Sequence, residues 1–154
     1  MVRLISDIRL TKEEAEKLLN MVKHTLVDEI DFPGVGKEIK FDAIGSSNRD
    51  KFNIHIYRSK IKSTKYNIGA LFYKNNVMLM ELHICDTLKH RNPDGQMIIG
   101  NHWHIYSEEY GRKMAIPAED IRSVDFVENT LVFFEKFNLI EPPYVHIEMQ
   151  MELF

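Results

Sequence analysis

The sequence predicts an α+β protein, with a mainly antiparallel sheet of about five to six strands packed against an N-terminal and a C-terminal helix. Three observations predict it. A segment near each end carries apolar residues at helical spacing, whereas the long stretch between them carries apolar residues at alternate positions. The alternating segments are joined by short turn signals, Lys74-Asn75-Asn76 and Asn92-Pro93-Asp94-Gly95, which suit hairpins. The tail from Val145 to Leu153 also alternates strictly.

The first helix opens at Thr11-Lys12-Glu13-Glu14, a capping box in which the Thr11 hydroxyl and the Glu14 carboxylate each accept from the other residue's backbone N–H. Leu10 and Ala15 stand where a hydrophobic staple needs them. Ala15, Leu18, Leu19, Val22 and Leu26 then make one stripe, so the helix is expected to run to about Asp28, before the breaker Asp31-Phe32-Pro33-Gly34. Ile39, Phe41 and Ala43 alternate, as do Phe52, Ile54 and Ile56, and each set predicts a strand with one buried face. Tyr66–Tyr73 and Val77–Cys85 read as two more strands, and Gly100–Ser107 as another beyond the Pro-Asp-Gly turn. The second helix is expected over Phe126–Asn138, with Asp125 and Glu128 at its positive end and Glu141-Pro142-Pro143 stopping it. The alternating tail predicts an edge strand open to pairing with a second chain.

The chain has 154 residues, of which 44% are apolar and 28% charged, as expected for a single packed domain over 1–154. Its 20 basic and 23 acidic residues leave a net charge of −3, which argues against nucleic-acid binding by bulk charge. A single cysteine excludes an intrachain disulfide and fits a reducing compartment. No segment reaches the ~18 apolar residues of a membrane span, and the N-terminal residues lack the pattern of a signal peptide. The expectation is a cytoplasmic protein.

Residues 83–104 concentrate the chemistry. Four of the seven histidines lie there, His83, His90, His102 and His104, together with Cys85 and Trp103, the only cysteine and tryptophan. Imidazole and thiolate are zinc's preferred ligands, and imidazole is the usual acid/base near neutral pH. Strand alternation gives the window a direction: His102, His104 and Tyr106 share one face, and Trp103 and Ile105 the other. In the neighbouring segment, Glu81, His83 and Cys85 oppose Met78, Met80, Leu82 and Ile84. Pairing of the two segments brings His83, Cys85, His102 and His104 together, and the turn lets His90 fold over them. Cys85, His90, His102 and His104 would then make a Cys-His₃ zinc site, with His83 as a substitute or supporting group.

A metal-free alternative is a small toxin-type endoribonuclease. In it His90, His102 and His104 move protons while Lys89 and Arg91 hold phosphate. A plain scaffolding domain, with these histidines as surface residues, is the third reading. Arg58, Lys60, Lys62 and Lys65, flanked by Tyr57 and Tyr66, form a basic aromatic patch that suits either phosphate contact or a solvated loop.

The run His90-Arg91-Asn92-Pro93-Asp94-Gly95, then Gly100-Asn101-His102-Trp103-His104-Ile105-Tyr106, then Glu108 and Tyr110-Gly111, resembles the signature of a group of small, largely uncharacterised bacterial and phage proteins. The segments Phe133–Asn138 and Ile140–Pro143 resemble that group's C-terminal part. The resemblance covers about residues 78–143 and carries over His90, His102 and His104, but not His83 or Cys85. It implies a phage or mobile-element setting, in which small proteins block host defence. The resulting expectation is an anti-CRISPR-like, zinc-binding inhibitor that contacts a CRISPR effector nuclease directly.

Overall fold

The computed structural model describes residues 10–147. In chain order the elements are α1 (Lys12–Asn20), β1 (Lys23–Thr25), β2 (Glu29–Asp31), β3 (Glu38–Ile44), β4 (Lys51–Arg58), β5 (Tyr66–Phe72), β6 (Val77–Ile84), β7 (Lys89–Arg91), β8 (Met97–Ile99), β9 (His102–Ile105), β10 (Ala115–Pro117), α2 (Phe126–Lys136), β11 (Leu139–Ile140) and β12 (Tyr144–His146). The class is α+β, as expected. The main sheet is larger than expected, with eight strands in the order β10-β9-β6-β5-β4-β3-β1-β11. Its neighbours are antiparallel except for β1 and β11. The surplus strands, β1, β10 and β11, have two or three residues each, too few for alternation to show in a sequence.

One face of the sheet builds the core. Phe41, Phe52, Ile54, Ile56, Ile68, Leu82 and Trp103 are buried there. The α2 aromatics cross them: Phe134 lies edge-on to Phe41 at 5.9 Å, Phe137 edge-on to Phe52 at 5.5 Å, and Phe133 stacks on Trp103 at 6.0 Å. Asp125 caps α2 by accepting from Glu128 N–H at 2.9 Å. The helix stops at Lys136, slightly before the expected Asn138, which takes a left-handed φ of 59°. The proline pair therefore follows β11 and does not end the helix.

The Thr11–Glu14 capping box forms, with its two bonds at 3.1 and 3.0 Å. The helix it opens is shorter than expected, ending at Asn20 where the stripe pointed to Asp28. The reason is Lys23, which is fully buried. Its Nζ donates to the Leu19 carbonyl at 3.0 Å and the Phe137 carbonyl at 2.8 Å, and lies 3.8 Å from the centre of the Phe137 ring. One ammonium thus caps the C-terminal ends of α1 and α2 together, where the helix dipoles favour a cation. The chain must leave the helix to place it, and Val22 and Leu26, counted in the helical stripe, are exposed.

Two side-chain directions also differ from strict alternation. A bulge between Ala70 and Leu71 shifts the β5–β6 register, so Leu79 enters the core, while the Met78 sulfur lies beside Gly69 on the other face. Tyr106 leaves the histidine face: β9 ends at Ile105, and the Tyr106 hydroxyl donates to the Leu10 carbonyl at 3.1 Å in the core. Of the predicted tail strand, Tyr144–His146 pairs in parallel with β2 as a separate two-stranded sheet. Residues 148–154, and with them the expected open edge, lie outside the described residues. No described helix is long and apolar enough to cross a membrane.

Candidate metal centre

The second face of the sheet carries the histidines. The β6–β9 register sets His83 opposite His102 and Glu81 opposite His104. Directly opposed residues on one face of an antiparallel pair have Cβ atoms ~4.5–5.5 Å apart, so this register alone forces the imidazoles together. The His83 and His102 rings stack at 5.1 Å, and His104 meets both edge-on at 5.0 Å. One ring nitrogen from each of the three lies within 4.8 Å of the others, so these residues could hold a metal ion.

On this face His102 and His104 are buried. A flap made of β7 and β8 covers them, and the Asn92-Pro93-Asp94-Gly95 motif builds that flap. Gly95 N–H donates to the Asn92 carbonyl and Asn92 N–H to the Gln96 carbonyl, both at 2.8 Å, while Gly95 takes a φ of 89°. The Asn92 side chain has a second task. Its Oδ1 accepts from Ala115 N–H at 2.7 Å and its Nδ2 donates to the Ala115 carbonyl at 2.8 Å, docking the flap onto β10. His90 thereby reaches the cluster, 5.6 Å from the His102 ring and 4.8 Å from the His104 ring. Its Nε2 bonds the Lys113 carbonyl at 2.9 Å. His90 stands beside the tight group of three, not within it.

Cys85 follows the last residue of β6, and its thiol turns away from the strand pattern. It lies 3.4 Å from Thr87 Oγ1 and 3.9 Å from Lys62 Nζ, outside the three-histidine group. Burial raises its pKa, but the Thr87 bonds and the Lys62 and Lys65 charges more than offset that and leave the thiol below its ordinary value. Of the five residues singled out in the sequence, the structure gathers His83, His102 and His104, sets His90 alongside and directs Cys85 elsewhere. The residues that the sequence reading left out of the site are Glu81, Arg112 and Lys113. Glu81 was legible, two positions before His83 on the same face. Arg112 and Lys113 carry no local signal, because the turn after β9 brings them back.

The state of each nitrogen follows from its partner. His102 Nδ1 sits 2.9 Å from the Gly100 carbonyl, which can only accept, so Nδ1 carries the proton and Nε2 is left to bind. Gly100 takes a φ of 92°, a conformation that explains the glycine of the motif. His83 Nε2 and His104 Nδ1 are buried with no hydrogen-bond partner. Burial, reinforced by the neighbouring His83 and His102, pushes His104 down to about 4. Burial also lowers His102, against the pull of the Gly100 carbonyl. Neutral imidazole is the form that ligates metals. Glu81 is also buried. Burial raises its carboxyl, but His83, 3.7 Å away, and the Arg112 guanidinium hold it below the usual range. Arg112 grips both Glu81 oxygens, with the Nε bond at 3.0 Å.

A cavity of about 650 Å³ opens over the cluster, lined by His83, His90 and His104 and by Glu81, Arg91, Arg112 and Lys113. Fold and site together define an α+β protein with a trio of sheet histidines, two of them buried, beside a flap. The chain belongs to a family of unknown function (DUF6978), whose family model matches residues 10–139. Comparison with curated proteins and with solved structures returned no match.

Proposed function

We propose that the protein binds zinc through His83, His102 and His104, with the cavity side of the ion left for a further ligand. The observation that carries this is the approach of one ring nitrogen from each of His83, His102 and His104 to within 4.8 Å of the others, in a cluster where His83 Nε2 and His104 Nδ1 have no hydrogen-bond partner and His102 Nε2 is left free by the Gly100 bond. Each unpaired buried polar atom costs ~1–3 kcal/mol, and two of them among three clustered imidazoles suit a site that a bound ion satisfies. An all-imidazole set suits zinc and its transition-metal neighbours, and disfavours magnesium and calcium, which take oxygen ligands. The Gly100 carbonyl fixes the tautomer and ring orientation of His102, as the partner of a metal-ligating imidazole does.

Three protein ligands and an open side are the pattern of reactive zinc sites, whereas structural sites close with four. Bound there, zinc would supply Lewis acidity and an acidified water. His90 would stand at the cavity wall, its Nε2–H tied to the Lys113 carbonyl. The metal-free ribonuclease reading fits less well, because two of its three proton carriers, His102 and His104, are buried and His104 stays neutral down to about pH 4. Inhibition of a host nuclease by direct contact rests on the resemblance alone. It is tested by asking whether purified protein blocks cleavage by a CRISPR effector.

Elemental analysis of purified protein tests the zinc reading. The expected result is one zinc per chain in the wild type and none in His104→Ala. Protein that stays metal-free after incubation with zinc, while folded by circular dichroism, would overturn it.

A further inference from the structure

The cavity beside the histidines carries charge that the zinc reading does not use. Arg91, Arg112 and Lys113 line it, against one acidic group, Glu81. Glu81 is already engaged, both of its oxygens held by Arg112. Arg91 and Lys113 are exposed and form no ion pair among the described residues. Arg91 is held in place, however. Its Nη1 donates to the Gly95 carbonyl at 3.0 Å, so the turn that positions the flap also orients the guanidinium. Lys113 is fixed at the backbone, where its carbonyl takes the His90 bond. One oriented cation, Arg91, and a second on a fixed backbone, Lys113, thus line the cavity of a site whose three ligands are all neutral.

Neutral ligands do not discharge a divalent ion, so the ion and the two rim cations together present an excess of positive charge to one open cavity. A carboxylate would neutralise little of it, and a neutral ligand none. A phosphoryl group carries up to two negative charges and several oxygens, and arginine's fork matches it. The cavity is larger than a phosphate ion and lies within the ~300–1,000 Å³ of small-molecule sites, which leaves room for an organic substituent.

We propose that this cavity is a phosphoryl-binding site, in which Arg91 and Lys113 hold an organic phosphate ester against the open side of the histidine-bound metal. The proposal rests on the zinc reading and adds the class of ligand to it. It gives the turn motif a combined role. Asn92 docks the flap, Gly95 orients Arg91, and His90 and Lys113 are tied together at the cavity wall. Arg91 and Lys113 are binding residues here, and Arg112 is a positioning residue that acts through Glu81.

The test uses the full chain loaded with cobalt in place of zinc, with inorganic phosphate and acetate as probes. Metal content is measured first, and then the visible absorption of the cobalt is followed as each probe is added. The expected result is one cobalt per chain and a spectral change with phosphate at lower concentration than with acetate. Arg91→Met and Lys113→Met should each keep the metal and weaken phosphate by about tenfold, the scale of one lost charge-assisted hydrogen bond. A protein that takes up no metal sinks the zinc reading and this proposal together. A loaded protein whose spectrum ignores phosphate sinks the proposal alone. So does phosphate binding unchanged in both variants, or acetate binding as tight as phosphate.

Discussion

The two faces of the central sheet solve opposite problems. On the core face the large aromatics meet partners of their own kind, with Trp103 on Phe133, Phe52 on Phe137 and Phe41 on Phe134. On the other face, one residue along in the same strands, His83 Nε2 and His104 Nδ1 are buried without a hydrogen bond. Trp103 and its neighbours His102 and His104 belong to a single four-residue strand, so folding and site share a backbone but not a chemistry. On the zinc reading, the contrast marks where this fold gives up stability for binding.

The largest effect that sharpens the contrast comes from the core side. Trp103→Ala or Phe133→Ala should cost ~3–5 kcal/mol in denaturant unfolding, since each leaves a cavity in a packed aromatic layer. The histidine face should behave in the reverse sense. Zinc at a hundred times its dissociation constant should stabilise the wild type by ~2.7 kcal/mol, seen as a rise in melting temperature that a chelator reverses. His104→Leu should abolish that rise, yet leave the metal-free protein as stable as the wild type or up to ~2 kcal/mol more so, because it removes an orphaned nitrogen. Loss of stability in metal-free His104→Leu would break the comparison.

Asn92 links the two regions, and Asn92→Ala should cost ~1–3 kcal/mol by leaving both backbone groups of Ala115 without partners. Because the flap is then undocked, the same variant should also weaken zinc or phosphate binding more than its stability loss explains.

Lys23 gives the most specific signal. Burial pushes its ammonium down to about 7 from an ordinary 10.5. Above pH 7 the fold holds the amine neutral while the unfolded chain still binds its proton. Stability from this residue therefore rises with pH from about 7 to about 10.5, with a slope of up to ~1.4 kcal/mol per pH unit. Unfolding free energies at pH 7, 8 and 9 should show that slope in the wild type and lack it in Lys23→Met.

Much of the fold was legible in the sequence because most elements announce themselves locally. The Thr11 capping box, the alternation of Phe52, Ile54 and Ile56 and the acidic entry at Asp125 and Glu128 all survive in the structure. Where reading failed, a long-range contact had decided. Lys23 breaks a plausible helix to serve two helix ends, one of them more than a hundred residues away. The bulge at Ala70 and Leu71 exchanges Met78 for Leu79 without any mark in the sequence. In the site, alternation correctly put His83, His102 and His104 on one face. It overreached at Cys85 and Tyr106, each just past a strand end, where the two-residue period stops applying. The burial of the histidine face was not foreseen, because it depends on Asn92, which reads locally as a turn residue and acts across the fold as a clamp.

The central claim is that the three sheet histidines, not Cys85, hold a metal. Anomalous scattering at the zinc edge from crystals grown with zinc tests it most directly. The account predicts one strong peak within bonding distance of His83, His102 and His104, with the Cys85 sulfur outside it. A peak on Cys85, or no peak in this cluster at full zinc saturation, would contradict it.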